Sequence, residues 1–297
     1  MKGGVALGCV FSYVWQAGAS GRPVLGFSVF LGSPMTSCAQ LLDHVNPEEH
    51  LVQLYGKDDR LLTRNIGRFL AEGLRRGDGL LAIATPEHSG SVARQLRQEP
   101  GYSRAVLEGR LVFLDAQGTL DRFMVAGQPD RKLFDSVVGD ALKGVQARAG
   151  HTGIRAYGEM VGLLWVAEQR AAAVRLEEYW NSLLHSSNIS LFCAYPIDVF
   201  GEEFRVEHVD ALLCAHTHMV PIDDDLEFAL NRAMNEVLGE RVASLRALIK
   251  ANHRPSWGEV PRSEAIILWL RNNLPGSASE IIGLARQYYQ PLASARP

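Results

Sequence analysis

Apolar and polar positions along this chain switch repeatedly between a strand period and a helix period. In HLVQLY, residues 50–55, His50, Val52 and Leu54 face one way while Leu51, Gln53 and Tyr55 face the other, which predicts a first strand. Gly56 breaks it, and Asp58 and Asp59 open a helix to about Arg76. Its stripe is Leu61, Leu62, Ile66, Phe69, Leu70 and Leu74, and Gly77-Asp78-Gly79 stops it. LLAIA, 80–84, is a continuous apolar run, as expected of a strand covered on both faces. Thr85-Pro86-Glu87 then reads as N-cap, first-position proline and first-turn acid of a helix to about Gln98. LVFLD, 111–115, is the third strand, and a helix follows from Arg131 to about Ala149. Ile154 to Tyr157 form a fourth strand, ended by Gly158-Glu159-Met160 and followed by one long amphipathic helix carrying Trp165, Leu176, Glu177 and Trp180. SLFCAY, 190–195, is the fifth strand, closed by Pro196.

Strands alternating with helices over 50–196 predict an α/β fold with a parallel sheet and helices on both faces. In such a sheet Tyr55, Thr85, Asp115, Glu159 and Tyr195 all fall on one edge, where ligands bind. After Ile197 the pattern changes. Residues 204–221 read as a short helix and a return to the domain; Asp223–Asp225 start a helix to about Lys250 that Gly239 divides. Pro255 to Pro261 is a linker, Glu264 to Asn273 a helix, and Ser277-Ala278-Ser279-Glu280 a capping box for a last helix to Tyr289. The expected organisation is a tail over 1–45, an α/β domain over 46–221 and a helical segment over 222–297.

The apolar fraction of 47% is enough for a large core, so the scattered cysteines Cys9, Cys38, Cys193 and Cys214 need no disulfide framework. A net charge of −3 with dispersed basic residues gives no nucleic-acid footprint. No apolar run reaches membrane-span length, and a reducing, cytoplasmic setting is expected. Lys2, the apolar run to Trp15 and the small residues after it have the form of a secretory signal. The preferred reading makes 1–34 a mis-called extension or disordered tail, with Met35 as the initiator; a signal peptide is the alternative.

A phosphate cradle needs G-x-x-x-x-G-K-[ST], because backbone N–H groups must approach phosphate oxygens and a lysine must neutralise them. The loop after the first strand, Tyr55-Gly56-Lys57-Asp58-Asp59, is too short and places two carboxylates where phosphate charge would sit. Asp115 and Glu159 form a general acid/base pair if they converge, although strand-end carboxylates also serve as helix caps. Cys214, His216 and His218 are of metal-ligand type, but their spacing does not turn the chain around an ion, and buried or surface histidines are the preferred reading. His50 reads equally as a satisfied core histidine.

HLVQLYGKDDRLL, RFLAEGLRRGDGLLAIATPEH, GRLVFLDAQGTLDRFMVAGQPD, RAYGEMVGLLW, LEEYWNSL and LFCAYP occur in unbroken order and resemble the successive motifs of the MEDS family, the methanogen/methylotroph sensory domain. The resemblance covers residues 47–200 and extends toward 221. It implies a RecA/KaiC-like sheet that has lost its phosphate loop, in a non-enzymatic sensor of a small, hydrocarbon-derived ligand. It also implies a signalling partner, either a histidine kinase or a sigma-factor or transcription regulator; from the residues, no cofactor or metal is expected. No catalytic residues carry over. The motif positions His50, Tyr55, Asp115, Phe123, Glu159, Trp165 and Tyr195 are the expected ligand edge. The second of the two last helices, EIIGLARQYY, has only Arg286 as a base, which does not favour DNA contact; partner binding or homodimerisation through the C-terminal helices fits better. An enzyme or degenerate nucleotide binder using Asp115 and Glu159, and an interaction module without ligand, are the alternatives.

Overall fold

A computed structural model of the chain describes residues 37–150, 152–185, 188–222, 225–251 and 256–289. The questions about residues 1–34 therefore lie outside the described residues. The five expected strands are present as β1 (His50–Leu54), β2 (Gly79–Ala84), β3 (Leu111–Asp115), β4 (Ile154–Gly158) and β5 (Ile189–Tyr195). A two-residue edge strand that the pattern did not predict, β6 (His218–Met219), completes the sheet. The order is β3-β2-β4-β5-β1-β6, and every pairing is parallel.

Strand register explains why the runs are apolar at consecutive positions. Leu51, Phe192, Tyr157, Ala82 and Phe113 lie in one row across the sheet, and Val52, Cys193, Gly158, Ile83 and Leu114 in the next. Successive rows point to opposite faces. The first face is covered by the helices Cys38–Asp43, Arg60–Arg76, Pro86–Leu96 and Tyr102–Leu107. The second is covered by Asp140–Ala149, Met160–Val166, Arg170–Leu184 and Val206–Ala215. The helices Asp225–Leu238, Arg262–Asn273 and Pro275–Tyr288 share that second core through Leu226, Leu230, Ile267, Leu270 and Ile281. The fold is thus α/β, a parallel sheet with helices on both faces and additional C-terminal helices.

Several local expectations are corrected. Within the span expected as a tail, residues 38–43 form the helix Cys38–Asp43, started by a capping box of Ser37 and Gln40. The long helix after β4 is two helices. The first ends at Val166 with Glu168 in the left-handed region, φ 57°, while Gln169 N–H bonds Leu164 O and Glu168 N–H bonds Trp165 O. That is a Schellman ending made without glycine. The helix from Arg131 contains a π-helical turn at Asp135–Gly139. The last helix begins at Pro275, so Ser277 to Glu280 lie inside it rather than at its start; proline at the first position sets the beginning. Gly239, φ 55°, does divide the 225–251 helix, with a 3₁₀ turn at Gly239–Arg241.

Candidate functional site

The crossovers define one clean switch point. From β2 the chain continues to β3 on one side, and from β4 to β5 on the other, while β2 and β4 are neighbours. Open α/β sheets bind ligands at the carboxyl end of such a pair. Here that position holds Glu159, immediately after β4, and the Thr85–His88 turn, immediately after β2.

Glu159 is buried, and three groups converge on its carboxylate. Thr85 N–H donates to Oε1 at 2.9 Å, and the Tyr157 hydroxyl donates to Oε2 at 2.9 Å. His88 Nδ1 is 2.9 Å from Oε2, and its other nitrogen lies 3.1 Å from Asp59 Oδ2. Burial alone would raise the Glu159 carboxyl; the His88 hydrogen bond and charge, with Thr85, hold it below its ordinary value. The hydrogen bond to Glu159 raises the His88 imidazole against the opposing effect of burial. The Tyr55 ring meets the His88 ring edge-on at 6.0 Å, and burial followed by the Glu159 and Asp59 charges pushes its phenol up. The half-buried Tyr55 and the half-exposed Asp59 carboxylate are the parts of this network that reach the surface.

The short loop after β1 keeps its acids occupied. Asp58 is held by Arg60, and Asp59 by His88. Both carboxylates stand where a phosphate cradle would need amides and a lysine.

A second polar cluster lies on the other face of the sheet, beneath the helix Arg170–Leu184. Glu177 hangs from that helix, fully buried, and accepts the Tyr195 hydroxyl at 2.6 Å on Oε1. His216 Nε2 is 3.3 Å from the same oxygen, and His50 Nε2 is 3.5 Å from Oε2. Cys193 Sγ is 3.2 Å from His50 Nε2 and 3.8 Å from Glu177 Oε2. Burial alone would raise the Glu177 carboxyl; His216, His50 and Tyr195 bring it down to about 2. Burial and the neighbouring His216 bring His50 down to about 3. The ligand-type atoms of His50, Glu177, Cys193 and His216 all lie within 4.8 Å of one another.

The seven expected edge residues therefore separate. Tyr55 and Glu159 both meet His88 at the switch point. His50 and Tyr195 belong to the second cluster, where Trp165 packs edge-on against Tyr195 at 5.5 Å and under the Arg170 guanidinium. Phe123 is core, stacked edge-on against Phe134. Asp115 caps its own helix, accepting Gly118 N–H at 2.6 Å. Its carboxylate and that of Glu159 are engaged with different partners. Of the Cys214, His216 and His218 trio only His216 turns inward; Cys214 is exposed and His218 sits on the edge strand.

Sequence reading passed over His88, Tyr157, Glu177 and Cys193. His88 had a usable signal, since a histidine in the first turn after a β2-type strand points back over the strand ends. Glu177 had another: Ala173, Glu177, Trp180 and Leu184 follow the spacing of a buried helical stripe, and an acid in that register demands partners.

The arrangement defines a parallel α/β domain with a polar switch-point site and no phosphate loop. The model of the MEDS family, the methanogen/methylotroph, DcmR sensory domain, matches residues 49–217. That span is more than half of the chain and contains both clusters in full, and the protein belongs to this family. No match was found among curated proteins.

Proposed function

We propose that this protein is a non-enzymatic sensor whose switch-point edge binds a small organic ligand and whose C-terminal helices pass the change to a partner regulator. The observation that carries the reading is the Glu159–His88–Asp59 chain at the β2/β4 switch point of a sensory-domain family member. One imidazole there links the ends of β2 and β4 with the β1 loop, so a ligand that engages Tyr55 or Asp59 acts on three segments at once. A hydrocarbon-derived ligand with one polar group suits a site that offers an aromatic ring beside a single hydrogen-bonding chain.

A binding role also suits the state of the carboxylates. Glu159 is held ionised by three donors, which favours positioning over proton delivery, and Asp115 is occupied as a cap. The helices beyond residue 225 share the second-face core, which supports their use as output toward a histidine kinase or a sigma-factor or transcription regulator. Among the described residues no helix is long and apolar enough to cross a membrane.

The test is a thermal-shift panel on the full chain with small halogenated and one-carbon compounds, and with ATP and GTP on the same plate. A ligand that binds only the folded state raises the melting temperature once it exceeds its Kd. The expected result is a shift with a small organic compound whose apparent Kd rises at least about tenfold in Tyr55→Ala, a loss of about 1.4 kcal/mol of binding. A shift with nucleotide alone overturns the reading.

A further inference from the structure

The cluster under the helix Arg170–Leu184 has more acceptors than donors. Asn181 Nδ2 donates to Ala215 O at 2.9 Å, so Asn181 Oδ1 faces His50. That oxygen is 2.8 Å from His50 Nδ1, which must therefore carry the proton. His216 Nδ1 is 2.7 Å from Leu212 O, and a carbonyl can only accept, so this nitrogen is also the protonated one. In their neutral forms both rings then aim an Nε2 lone pair at the Glu177 carboxylate. Among the described residues, the donors facing two imidazole lone pairs and a carboxylate are the Cys193 thiol and the Tyr195 hydroxyl. His216 Nε2 is buried 3.3 Å from Glu177 Oε1, within ion-pair reach if the ring is protonated but without hydrogen-bond geometry, so in the neutral ring its lone pair has no donor. A buried polar atom without a partner calls for an explanation, and a cation is one.

We infer that His50 Nε2, His216 Nε2, Cys193 Sγ and a carboxylate oxygen of Glu177 form a closed tetrahedral site for one divalent transition-metal ion of the zinc type.

The spacing fits. Tetrahedral ligands at bond lengths of about 2.0 to 2.3 Å stand roughly 3.3 to 3.8 Å apart. About one carboxylate oxygen, Glu177 Oε2, His50 Nε2 stands at 3.5 Å and Cys193 Sγ at 3.8 Å, with 3.2 Å between those two atoms; His216 Nε2 is 3.3 Å from the other oxygen, and all four ligand atoms lie within 4.8 Å of one another, so a small rotation of the carboxylate or of His216 closes the set on one ion. The charge fits as well. A thiolate and a carboxylate cancel a doubly charged ion, and two neutral imidazoles add none, so the buried site is electrically closed. Asn181 Oδ1 and Leu212 O fix the two imidazoles through their other nitrogens, the outer-shell arrangement typical of ligating histidines. The Tyr195 hydroxyl orients the carboxylate in the same way.

The nitrogen and sulfur donors select zinc-type ions over magnesium or calcium. All four side chains are buried and all four positions are filled by protein, so the ion is structural. It ties together β1, β5, the helix Arg170–Leu184 and the segment after Val206–Ala215, elements far apart in sequence. Loading breaks the Cys193 S–H bond, releases that proton to solvent and forms the sulfur–metal bond. This site lies on the opposite face of the sheet from the Glu159 edge, and its test does not depend on a ligand there.

The experiment uses the full chain, purified without chelators or a histidine tag, loaded with Zn²⁺ or Co²⁺, desalted, and measured for metal content and absorption. The expected result is about one equivalent of Zn²⁺ per chain, and for Co²⁺ a strong tetrahedral visible band with a near-ultraviolet sulfur-to-metal band. In Cys193→Ala the sulfur band disappears, and in His216→Ala retained metal falls at least about tenfold. The paired variant Cys214→Ala, His218→Ala keeps both metal and spectrum. Circular dichroism confirms that each variant is folded, and the wild-type sulfur band reports the thiolate ligand even if a variant is not. Wild-type protein that retains less than about a tenth of an equivalent overturns the site. So does metal that survives in Cys193→Ala and His216→Ala but is lost in the paired control.

Discussion

His88 Nδ1 stands 2.9 Å from Glu159 Oε2, a contact that joins the helix after β2 to the end of β4 across the switch point. The pair sets a pH dependence whose sign follows from the two shifts. His88 titrates above its ordinary value of 6.5, so its contribution to stability is full below 6.5 and is lost as pH rises through the folded value. Glu159 titrates below 4.5, so its contribution is present above 4.5 and is lost as pH falls through the folded value. Both are present together between about 4.5 and 6.5. His88→Gln is expected to lower stability by about 1 to 3 kcal/mol in that window and by less at higher pH. Urea unfolding of both proteins at pH about 5.5 and about 8.5 checks this; an equal difference at both contradicts it.

Arg155 anchors the helix Cys38–Asp43. Its buried guanidinium donates to Leu42 O, Phe69 O and Asp43 O and lies 5.0 Å from the Phe69 ring centre. Burial, followed by the nearby Arg76 charge, brings its pKa down to about 10, with Asp78 opposing. Arg155→Leu removes these donors, so Leu42 O loses its guanidinium partner while Asp43 O keeps only Arg76. The expected loss is about 2 to 4 kcal/mol, with faster hydrogen exchange in Cys38–Asp43. Unchanged exchange there would show that the anchor lies elsewhere.

Glu168 occupies a left-handed position, φ 57°, that favours glycine. Glu168→Gly is expected to raise stability by about 0.5 to 1 kcal/mol, read as a higher urea midpoint at constant slope. A decrease would mean that the Glu168 side chain outweighs the backbone strain.

Gly258 lies against the edge strand, where an added Cβ would come within 2.2 Å of His216 O and 2.4 Å of Thr217 O. Glu259 pairs across this approach, donating its N–H to Thr217 O and accepting from Met219 N–H. Gly258→Ala is expected to cost about 2 to 4 kcal/mol and to release this segment, seen as faster proteolysis near residues 256–261. Wild-type proteolysis rates would contradict the close approach.

The five main strands were legible because they are short apolar runs ended by turn residues, and the Glu159 edge because a glycine and an acid close one of them. What escaped the sequence depended on partners distant along the chain. Arg155 looks like an interruption of a strand until three carbonyls from elsewhere surround it. Glu177 and Cys193 acquire meaning only beside His50 and His216, which a parallel sheet brings together across more than a hundred residues. The helix break at Glu168 carries no glycine or proline to announce it, whereas Ser277 to Glu280 carry a capping signal that Pro275 makes redundant. Asp115 followed the common behaviour of a strand-end acid and became a cap.

The most direct test of the sensor is hydrogen exchange on the full chain with the strongest organic compound from the thermal panel and, separately, with ATP. The predicted result is protection at residues 55–59, 85–88 and 158–160 with the organic compound, together with a change in the helix Asp225–Leu238, and no protection with ATP. Protection of the β1 loop by ATP, or protection by the organic compound that leaves all three edge segments unchanged, would contradict it.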